Sequence, residues 1–525
     1  MALAPAARLA EHILAGAAAT ASSLSCTKFK DHTMPLVELT PPSGFRNHGT
    51  DLQSEGRWHD GSLVRWHEGS MRPVGGWVDR TGDVEYAAPP RGMLAWQDNT
   101  ANRWIAAGTY AKLYATTSGG GTYDITPAGF TTGAATATVN TGYGGGSYGS
   151  SFYGQSRPDS GNYGEATTWS MDNWGQYLIA CSNADGKLYE WQLNTATPAA
   201  QIANSPTGCS GLVVTGERFI FALGAGGVKN RVSWCDFEDN TQWAPSSTNQ
   251  AGDVTLQTNG QIMAAVAGQG QTIIVTDQDC HRGVYQAPPF IYQFERVGAA
   301  CGAVARKVVV DTPAGVFWMG QQNFFRYDGS TVSEVPCDVF DAVFSDINPA
   351  QISKSWGVSN GQNGEVWWLY CGADATEIDS YVAYDYHDNH WLIGNLPRTA
   401  GVDRGVFRAP IMASDAGRIY NHETGFNYEA QTVYAQTGPF KIGAGDNLAV
   451  VTNLIPDELA LGSVTTTFKT RSYPNSAEAS HGPYTLTDPT SVRFQGRQVR
   501  MRVDAVDGDW RVGKFRFDAK AGGRR

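Results

Sequence analysis

The sequence predicts an all-β fold: a β-propeller of six or seven blades, with an additional β platform domain built from the N- and C-terminal segments. A short apolar, aromatic-rich segment recurs seven times, and in most cases a polar turn and a second strand with Tyr or Trp follow it. Most of the spacings fall between about 40 and 55 residues, the length of one four-stranded blade. The recurring segments are Trp104–Thr109, Tyr177–Ser182, Arg218–Gly224, Thr272–Asp277, Gly315–Gly320, Glu365–Tyr370 and Ala409–Ser414.

Composition changes along the chain divide it into four parts. Residues 1–33 form an Ala-rich leader that we expect to be disordered or absent from the mature protein, with Met34 as the favoured start. Residues 34–90 are dense in turns and are predicted to be the N-terminal β segment of the platform. The propeller is predicted over 91–432, and residues 433–525 are predicted to be an antiparallel β domain with a basic end, because polar and apolar residues alternate there.

The bulk composition limits the classes of function. A chain of 525 residues exceeds what one hydrophobic core organises. The formal net charge of −11 excludes a protein whose whole surface grips nucleic acid, although a polyanion could slide past an acidic wall. No apolar run approaches the roughly 20 residues that span a bilayer, so no membrane segment is predicted.

The eight cysteines contain no CxxC pair. A metal site or a disulfide framework would show tighter clustering. The sequence therefore favours free thiols in the core of a protein that is assembled in a reducing cytoplasm.

A Gly/Tyr/Ser-rich stretch over 131–168 interrupts the propeller and is predicted to be an exposed inserted loop. It is either a tolerated surface insertion or a contact arm, since Tyr provides adhesive area at low entropic cost. The tyrosines that we select as a candidate interaction surface are Tyr143, Tyr148, Tyr153 and Tyr163.

The last strands are basic, with ten Lys and Arg against four Asp over residues 490–525. Arg500, Arg502, Arg511 and Arg516 are expected to form a row of guanidinium groups on one face of the terminal sheet. Such a row is either a solvated face or a docking surface for an acidic partner or a neighbouring subunit.

No catalytic motif is present: the sequence contains no G-x-S-x-G, P-loop or H-E-x-x-H pattern. His59 and His67 are interpreted as parts of twin hairpin turns. The densest His/Asp cluster is Asp385, His387, Asp388 and His390. Alternation along a strand would place Asp385 and His387 on one face and Asp388 and His390 on the other, so the four are not expected to converge, and a polar hairpin turn is the favoured interpretation. The sequence therefore predicts no enzyme, no cofactor and no metal.

The whole layout resembles the tail nozzle proteins of short-tailed bacteriophages, which include the packaged-DNA-stabilisation (head-completion) group. The segments that carry the resemblance are Gly61–Trp66, Arg72–Trp77, Trp104–Thr109, Leu113–Tyr114, Tyr123–Pro127, the Tyr/Gly loop, Trp510–Phe517 and Gly522–Arg525. It covers roughly residues 34–525, and its motifs are distinctive only in combination.

The resemblance implies a structural protein of the virion, located in the phage tail. It implies a homo-oligomeric ring, commonly a hexamer, that retains packaged DNA and passes it during ejection. The implied partners are portal and adaptor proteins, tail fibre or spike proteins, and genomic DNA in the channel without sequence specificity. The alternative is a propeller module that binds or cleaves a glycan of the host surface, for which carboxylates and Arg should converge at the mouth of the channel.

Overall fold

The structure, a computed structural model, describes residues 36–80, 85–139, 163–268, 270–442, 447–459, 462–506 and 508–522, so the predicted leader lies outside it. Within these ranges the chain forms forty-one strands, one helix α1 (Phe340–Phe344) and three 3-10 helices (Asp51–Ser54, Ala225–Gly227 and Ile352–Lys354), which confirms the all-β prediction. The N-terminal strands are β1 (Val37–Leu39), β2 (Trp58–Ser62), β3 (Val64–His67), β4 (Ser70–Pro73) and β5 (Trp77–Asp79).

Seven four-stranded antiparallel sheets follow one another along the chain. The first contains β6 (Met93–Gln97), β7 (Arg103–Gly108), β8 (Leu113–Thr117) and β9 (Thr122–Asp124), and the hairpin β10 (Thr138–Val139) with β11 (Tyr163–Gly164) follows it. The second contains β12 (Trp169–Trp174), β13 (Tyr177–Ser182), β14 (Leu188–Trp191) and β15 (Ala200–Gln201). The third contains β16 (Gly211–Val214), β17 (Ile220–Leu223), β18 (Arg231–Trp234) and β19 (Gly252–Thr255).

The remaining sheets repeat the same arrangement. The fourth contains β20 (Ile262–Gly268), β21 (Gln271–Thr276), β22 (Asp279–Tyr285) and β23 (Tyr292–Ala299). The fifth contains β24 (Val309–Thr312), β25 (Gly315–Met319), β26 (Phe324–Tyr327) and β27 (Val332–Val335). The sixth contains β28 (Trp356–Asn360), β29 (Glu365–Tyr370), β30 (Ser380–Asp385) and β31 (His390–Asn395), and the seventh contains β32 (Ala400–Val402), β33 (Ile411–Ala413) and β34 (Ile419–His422).

The sheets close into a ring. The first strand of each sheet contacts the first strand of the next, and β32 of the seventh sheet contacts β6 of the first. This confirms the β-propeller prediction and makes the number of blades seven. Closure leaves only short sheet edges at the rim, which is how propellers manage the exposed edges of β-sheets.

The fourth strand of the seventh sheet comes from the N-terminal segment. Strand β5 pairs antiparallel with β34, so that Val78 lies opposite Asn421. The sequence interpretation assigned residues 77–79 to the platform, and this was wrong. Nothing in three residues of sequence indicates a partner more than 300 positions away.

The seven recurring segments of the sequence are the second strands of the sheets, whereas we had interpreted them as the first. The true first strands line the axis of the ring and are only half-buried, as β12 and β20 illustrate. In some of them, such as β12, polar residues interrupt the apolar run, whereas β20 is apolar throughout but consists largely of small residues. The second strands carry larger apolar and aromatic side chains, as in β29, in which all six residues are buried. The repeat was correctly detected, but each recurring segment is the second strand of its sheet and not the first.

The remaining strands form a sandwich of two sheets, which confirms the predicted platform. One sheet has the order β3-β4-β41-β36-β39, with β1 paired to β41, and the other has the order β2-β35-β40-β37-β38. Phe468 packs between the two sheets, with ring centroids 4.6 Å from Phe494 and 5.8 Å from Phe517. The C-terminal strands are β35 (Tyr434–Thr437), β36 (Ala449–Glu458), β37 (Val464–Arg471), β38 (Ala479–Thr485), β39 (Thr490–Gly496), β40 (Gln498–Ala505) and β41 (Val512–Ala521).

A buried ionic cluster joins the platform to the propeller. Arg65 of β3 has a side chain only 4% exposed, and its Nε lies 2.9 Å from Oε1 of Glu365 in the sixth sheet. Its Nη2 lies 2.6 Å from Oε1 of Glu423, which follows the seventh sheet. Burial raises the pKa of Glu365 to about 7, although the Arg65 charge opposes this rise. Arg65 of the platform thus forms salt bridges to the ring at its sixth sheet and directly after its seventh sheet.

Seven of the eight cysteines lie in the described part of the chain. All seven are free thiols, and all except Cys337 are buried. None of the described helices is long and apolar enough to cross a membrane.

Candidate functional site

The axis of the propeller holds a cavity of about 310 Å³, lined by the first strands of several sheets. At about 30 Å³ for each molecule, this cavity has room for about ten waters. The major groove of duplex DNA alone is about 12 Å wide and 8.5 Å deep. A cavity of this volume does not admit a duplex, so duplex DNA could not pass through the ring of sheets of a single chain.

Charged side chains line this axial cavity. The guanidinium group of Arg306 forms a salt bridge with Glu165, with Nε 2.6 Å from Oε2 and Nη2 3.1 Å from Oε1. The ammonium group of Lys307 lies 5.6 Å from the centroid of the Trp356 ring, and burial lowers the Lys307 pKa to about 8. The carboxylate of Asp311 also lines the cavity. The axis thus offers one amine that is partly neutral near pH 8.

A second cavity of about 470 Å³ opens at the ends of the second, third and fourth sheets, where Asp172, Glu217 and Arg218 line it. The carboxylate of Asp172 accepts hydrogen bonds from the backbone N–H groups of Val214 and Asn173, each at 2.8 Å. Burial raises the pKa of Asp172. Glu217 accepts a hydrogen bond from a tyrosine hydroxyl at 3.2 Å, and Nε of Arg218 lies 3.2 Å from a glutamate oxygen. Carboxylates and an Arg do meet near the channel mouth, but each has a partner within the protein.

A third cavity, of about 250 Å³, lies between the seventh and first sheets, and we name it the arginine pocket. Three of its lining residues are Arg80, Arg103 and Arg408, and none of the eight described lining residues is acidic. The guanidinium of Arg80 lies 4.4 Å from the centroid of the Phe407 ring, which fixes its plane. Three guanidinium groups without a carboxylate form a site for an anion with several oxygens, such as a phosphate. The sequence does not indicate this pocket, because Arg408 lies more than 300 positions from Arg80 and Arg103.

The predicted tyrosine surface lies mostly outside the described residues. Tyr143, Tyr148 and Tyr153 fall within 140–162, which the structure does not describe. The backbone of Tyr163 pairs with Val139 in the hairpin of β10 and β11. The contact-arm hypothesis stays a prediction.

The predicted row of arginines does not form. Arg500 and Arg502 lie on β40 in the five-stranded sheet, whereas Arg516 lies on β41 in the six-stranded sheet and Arg511 immediately precedes that strand. The two pairs therefore belong to different layers of the sandwich. The interpretation treated one basic segment as one sheet, but the chain changes sheet between β40 and β41.

The two pairs also differ in their contacts. Arg500 is largely buried and bridges Asp51 and Glu478, with its Nε 2.9 Å from an oxygen of Glu478. Arg502 pairs with Asp504 at 2.7 Å and covers the ring of Tyr434. These two arginines stabilise the platform, and their charges are already matched.

Arg511 and Arg516 are exposed. On β41, Arg516 alternates with Lys514 and Lys520 on the outer face of the six-stranded sheet, and Arg493 of β39 is exposed two strands away. Lys514, Lys520 and Arg493 were missed, although their alternation within single strands was a usable signal. This outer face, rather than the predicted row, carries the exposed basic residues of the C-terminal segment, of which Lys514 forms a salt bridge with Glu38.

The His/Asp cluster converges, contrary to the prediction. Ligand atoms of Asp385, Asp388 and His390 all lie within 4.8 Å of one another. Asp385 and His390 are cross-strand partners in a hairpin, so their side chains share a face of the sheet. The alternation argument failed because residues 385–390 are not one continuous strand, and it wrongly separated Asp385 from His390. The favoured interpretation of this segment, a polar hairpin turn, is confirmed.

No protein-family model and no curated protein matches the chain. Among solved structures, the chain is similar to virginiamycin B lyase from Staphylococcus aureus, with 10% identity, a TM-score of 0.41, and coverage of 66% of this chain and 97% of the lyase. It is also similar to a streptogramin B lyase, with 11% identity, a TM-score of 0.37, and coverage of 64% of this chain and 96% of the lyase. A third similar structure is the Neurospora crassa Pan2 WD40 domain, with 9% identity, a TM-score of 0.35, and coverage of 66% of this chain and 94% of that domain. At these TM-scores, we transfer no activity from these proteins.

Proposed function

We propose that this chain is a structural protein of a tailed-phage virion, one subunit of a nozzle ring below the portal and adaptor. In that position it retains packaged DNA and passes it during ejection. The observation that carries the proposal is the layout of the chain, on which the sequence resemblance also rests. A closed ring of sheets is flanked by segments from both ends, which combine into one sandwich on the side of the ring.

The passage for DNA, in this proposal, is the axis shared by several copies of the chain. A cavity of about 310 Å³ inside each propeller cannot admit a duplex. The propellers are therefore the wall of a wider channel, in a ring commonly of six in the family that the sequence resembles. Head-to-tail interfaces that close into a ring produce such a channel.

The charge distribution is compatible with a duplex that is held and then released. The net charge of −11 makes most of the surface repel a polyanion. The arginine pocket provides a local contact for a backbone phosphate, and phosphate contacts carry no sequence information. The exposed face with Lys514, Arg516 and Lys520 is the candidate for docking an acidic adaptor protein.

The direct test is the fate of DNA in particles that lack this chain. We expect heads that fill with DNA and then lose it, and complementation with the wild-type chain should restore full, stable particles. Heads that retain their genome without this chain would contradict the proposal. Complementation with Arg80→Gln/Arg103→Gln/Arg408→Gln should restore the particles but leave them leaking DNA faster, with the largest difference from the wild type at low salt, where phosphate contacts are least screened.

A second candidate function is the binding or cleavage of a host-surface glycan. The observation in its favour is the cavity of about 470 Å³ with Asp172, Glu217 and Arg218, where carboxylates and an Arg come together. Incubation of the purified chain with envelope polysaccharide tests it. Release of reducing sugar by the wild-type chain, lost in Glu217→Gln, would favour this function over the nozzle.

A further inference from the structure

The hairpin between β30 and β31 brings three metal-ligating side chains together at one end of the sixth sheet. Asp385 ends β30, and His390 begins β31 directly opposite it. Asp388 lies in the turn, and the ligand atoms of the three residues fall within 4.8 Å of one another. His390 Nε2 lies 3.8 Å from Asp385 Oδ2, which is too long for a hydrogen bond.

His390 is buried without a hydrogen-bond partner. Its side chain is 6% exposed, and neither Nδ1 nor Nε2 forms a hydrogen bond of normal geometry among the described residues, although the Asp388 backbone and the Asp385 carboxylate lie near the ring. A neutral imidazole carries one N–H donor and one acceptor, and buried groups of this kind are almost always paired. An imidazole that faces two carboxylates with both nitrogens unpaired indicates that a ligand is missing from its surroundings.

The backbone of the turn orients the nearer carboxylate. Oδ1 of Asp385 accepts hydrogen bonds from the backbone N–H groups of His387, at 2.8 Å, and Asp388, at 3.0 Å. These bonds fix the carboxyl group and leave Oδ2 directed at His390. The side chain of Asp388 is exposed, so an ion can enter from solvent on that side.

The platform closes the opposite side of the site. The ring of Trp66 meets the His390 ring edge to face, with centroids 5.9 Å apart and an interplanar angle of 89°. Gly44 lies against the same histidine, since a Cβ there would be 2.5 Å from the His390 Cβ. An ion bound by His390 would therefore hold the hairpin in the position that the platform contacts.

We propose that Asp385, Asp388 and His390 bind one divalent transition-metal cation, with Zn²⁺ as the best-matched ion, at the seam between the sixth sheet and the platform. One imidazole nitrogen and two carboxylate oxygens are a donor set that suits this ion, and water completes the coordination. Zinc–ligand bonds of about 2.0–2.2 Å require the ligand atoms to approach by up to roughly 1.5 Å. Rotation of the exposed Asp388 side chain provides most of this movement. The site is structural in this proposal and independent of the nozzle function.

The test uses the full chain, stripped with a chelator and dialysed, and then titrated with ZnCl₂ by isothermal titration calorimetry. We expect one equivalent to bind and the thermal midpoint to rise with zinc concentration, because a ligand that binds only the folded state stabilises it. Asp388→Asn should leave the midpoint without metal unchanged, since this side chain is exposed, and should weaken zinc binding at least 10-fold. His390→Gln should abolish the zinc-dependent rise.

The matched control is Asp374→Asn, which removes an exposed carboxylate from the connection between β29 and β30 of the same sheet. It should bind zinc with the affinity of the wild-type chain. Equal zinc affinity in Asp388→Asn and Asp374→Asn would overturn the proposal, as would the absence of binding by the wild-type chain. Because Asp388→Asn is not expected to affect folding, the test holds even if His390→Gln does not fold.

Discussion

The ring and the sandwich differ in how the chain builds them. Six of the seven sheets of the ring use four strands that are consecutive in sequence. Both sheets of the sandwich combine strands from residues 37–73 with strands from 434–521. Local pairing produces a repeat that the sequence displays, whereas pairing between the two ends does not. The seventh sheet belongs to both types, because three local strands take their partner from the other end of the chain.

Two contacts join segments that are distant in sequence and are therefore the places to test this comparison. Trp77 places the N-terminal strand on the seventh sheet, and Arg65 attaches the sandwich to the ring. If the ring were stable by itself, substitutions at these contacts would have small effects. Four predictions test this comparison, from the largest expected effect to the smallest.

Replacing Trp77 should have the largest effect. The indole is buried, its Nε1 donates to Glu429 Oε2 at 2.8 Å, and it stacks on His422 with centroids 5.2 Å apart. Trp77→Ala should lower the free energy of unfolding by about 3–5 kcal/mol, because it removes these contacts and leaves a cavity. Urea denaturation measures this. The control Val78→Ala, on an exposed side chain of the same strand, should change it by less than about 0.5 kcal/mol. Similar losses for both variants would show that the strand closes the ring without its tryptophan.

Arg65→Met tests the attachment of the sandwich. It leaves Glu365 and Glu423 buried without their cation, so we expect a loss of about 3–5 kcal/mol in the same assay. Arg72 is the matched control, because it lies opposite Arg65 in the β3–β4 register and forms no ion pair in the described structure. Arg72→Met should cost less than about 1 kcal/mol. A cost for Arg65→Met as small as that of Arg72→Met would contradict the assigned role.

The pH dependence compares one carboxyl of the ring with one of the sandwich. Burial raises the pKa of both Glu365 and Glu458 to about 7, from an ordinary value of 4.5. The folded state therefore holds these protons at a higher pH than the unfolded state does, and stability falls as pH rises from about 4.5 to about 7. Glu365→Gln and Glu458→Gln should each reduce the loss of stability between about pH 4.5 and pH 7.

The measurement is the thermal midpoint between pH 5 and pH 8, taken as the difference between variant and wild type because other groups titrate in the same window. The two variants should have similar effects, because burial raises both pKa values to about 7 and both carboxylate oxygens of Glu458 are shielded from solvent. Midpoints that run parallel to the wild type in both variants would contradict the assigned protonation.

The smallest effect is expected at the exposed pair of Lys514 and Glu38. Nζ of Lys514 lies 2.9 Å from Oε1 of Glu38, and both side chains are at least half exposed. Lys514→Ala should change the free energy of unfolding by less than about 1 kcal/mol, because such pairs are screened by solvent. A larger loss would mean that β1 depends on this pair for its attachment to β41.

The extent of sequence-based prediction follows from the same difference between local and distant pairing. The repeat of second strands, such as β29, was detectable because nearly all of their residues are buried. The first strands were missed because polar residues interrupt some of them, such as β12, and small residues predominate in others, such as β20. The closing strand β5, the division of the basic segment between two sheets and the arginine pocket all depend on distant partners. The convergence of Asp385 with His390 depended on one turn, which strand alternation alone could not locate.

The most direct test of the central claim is electron cryo-microscopy of the purified chain bound to a portal–adaptor assembly. The account predicts a closed ring of several copies, with propellers as the wall of an axial channel wide enough for duplex DNA and the sandwiches in contact with the adaptor. Single copies attached to the periphery, or a ring whose axis is too narrow for a duplex, would contradict it.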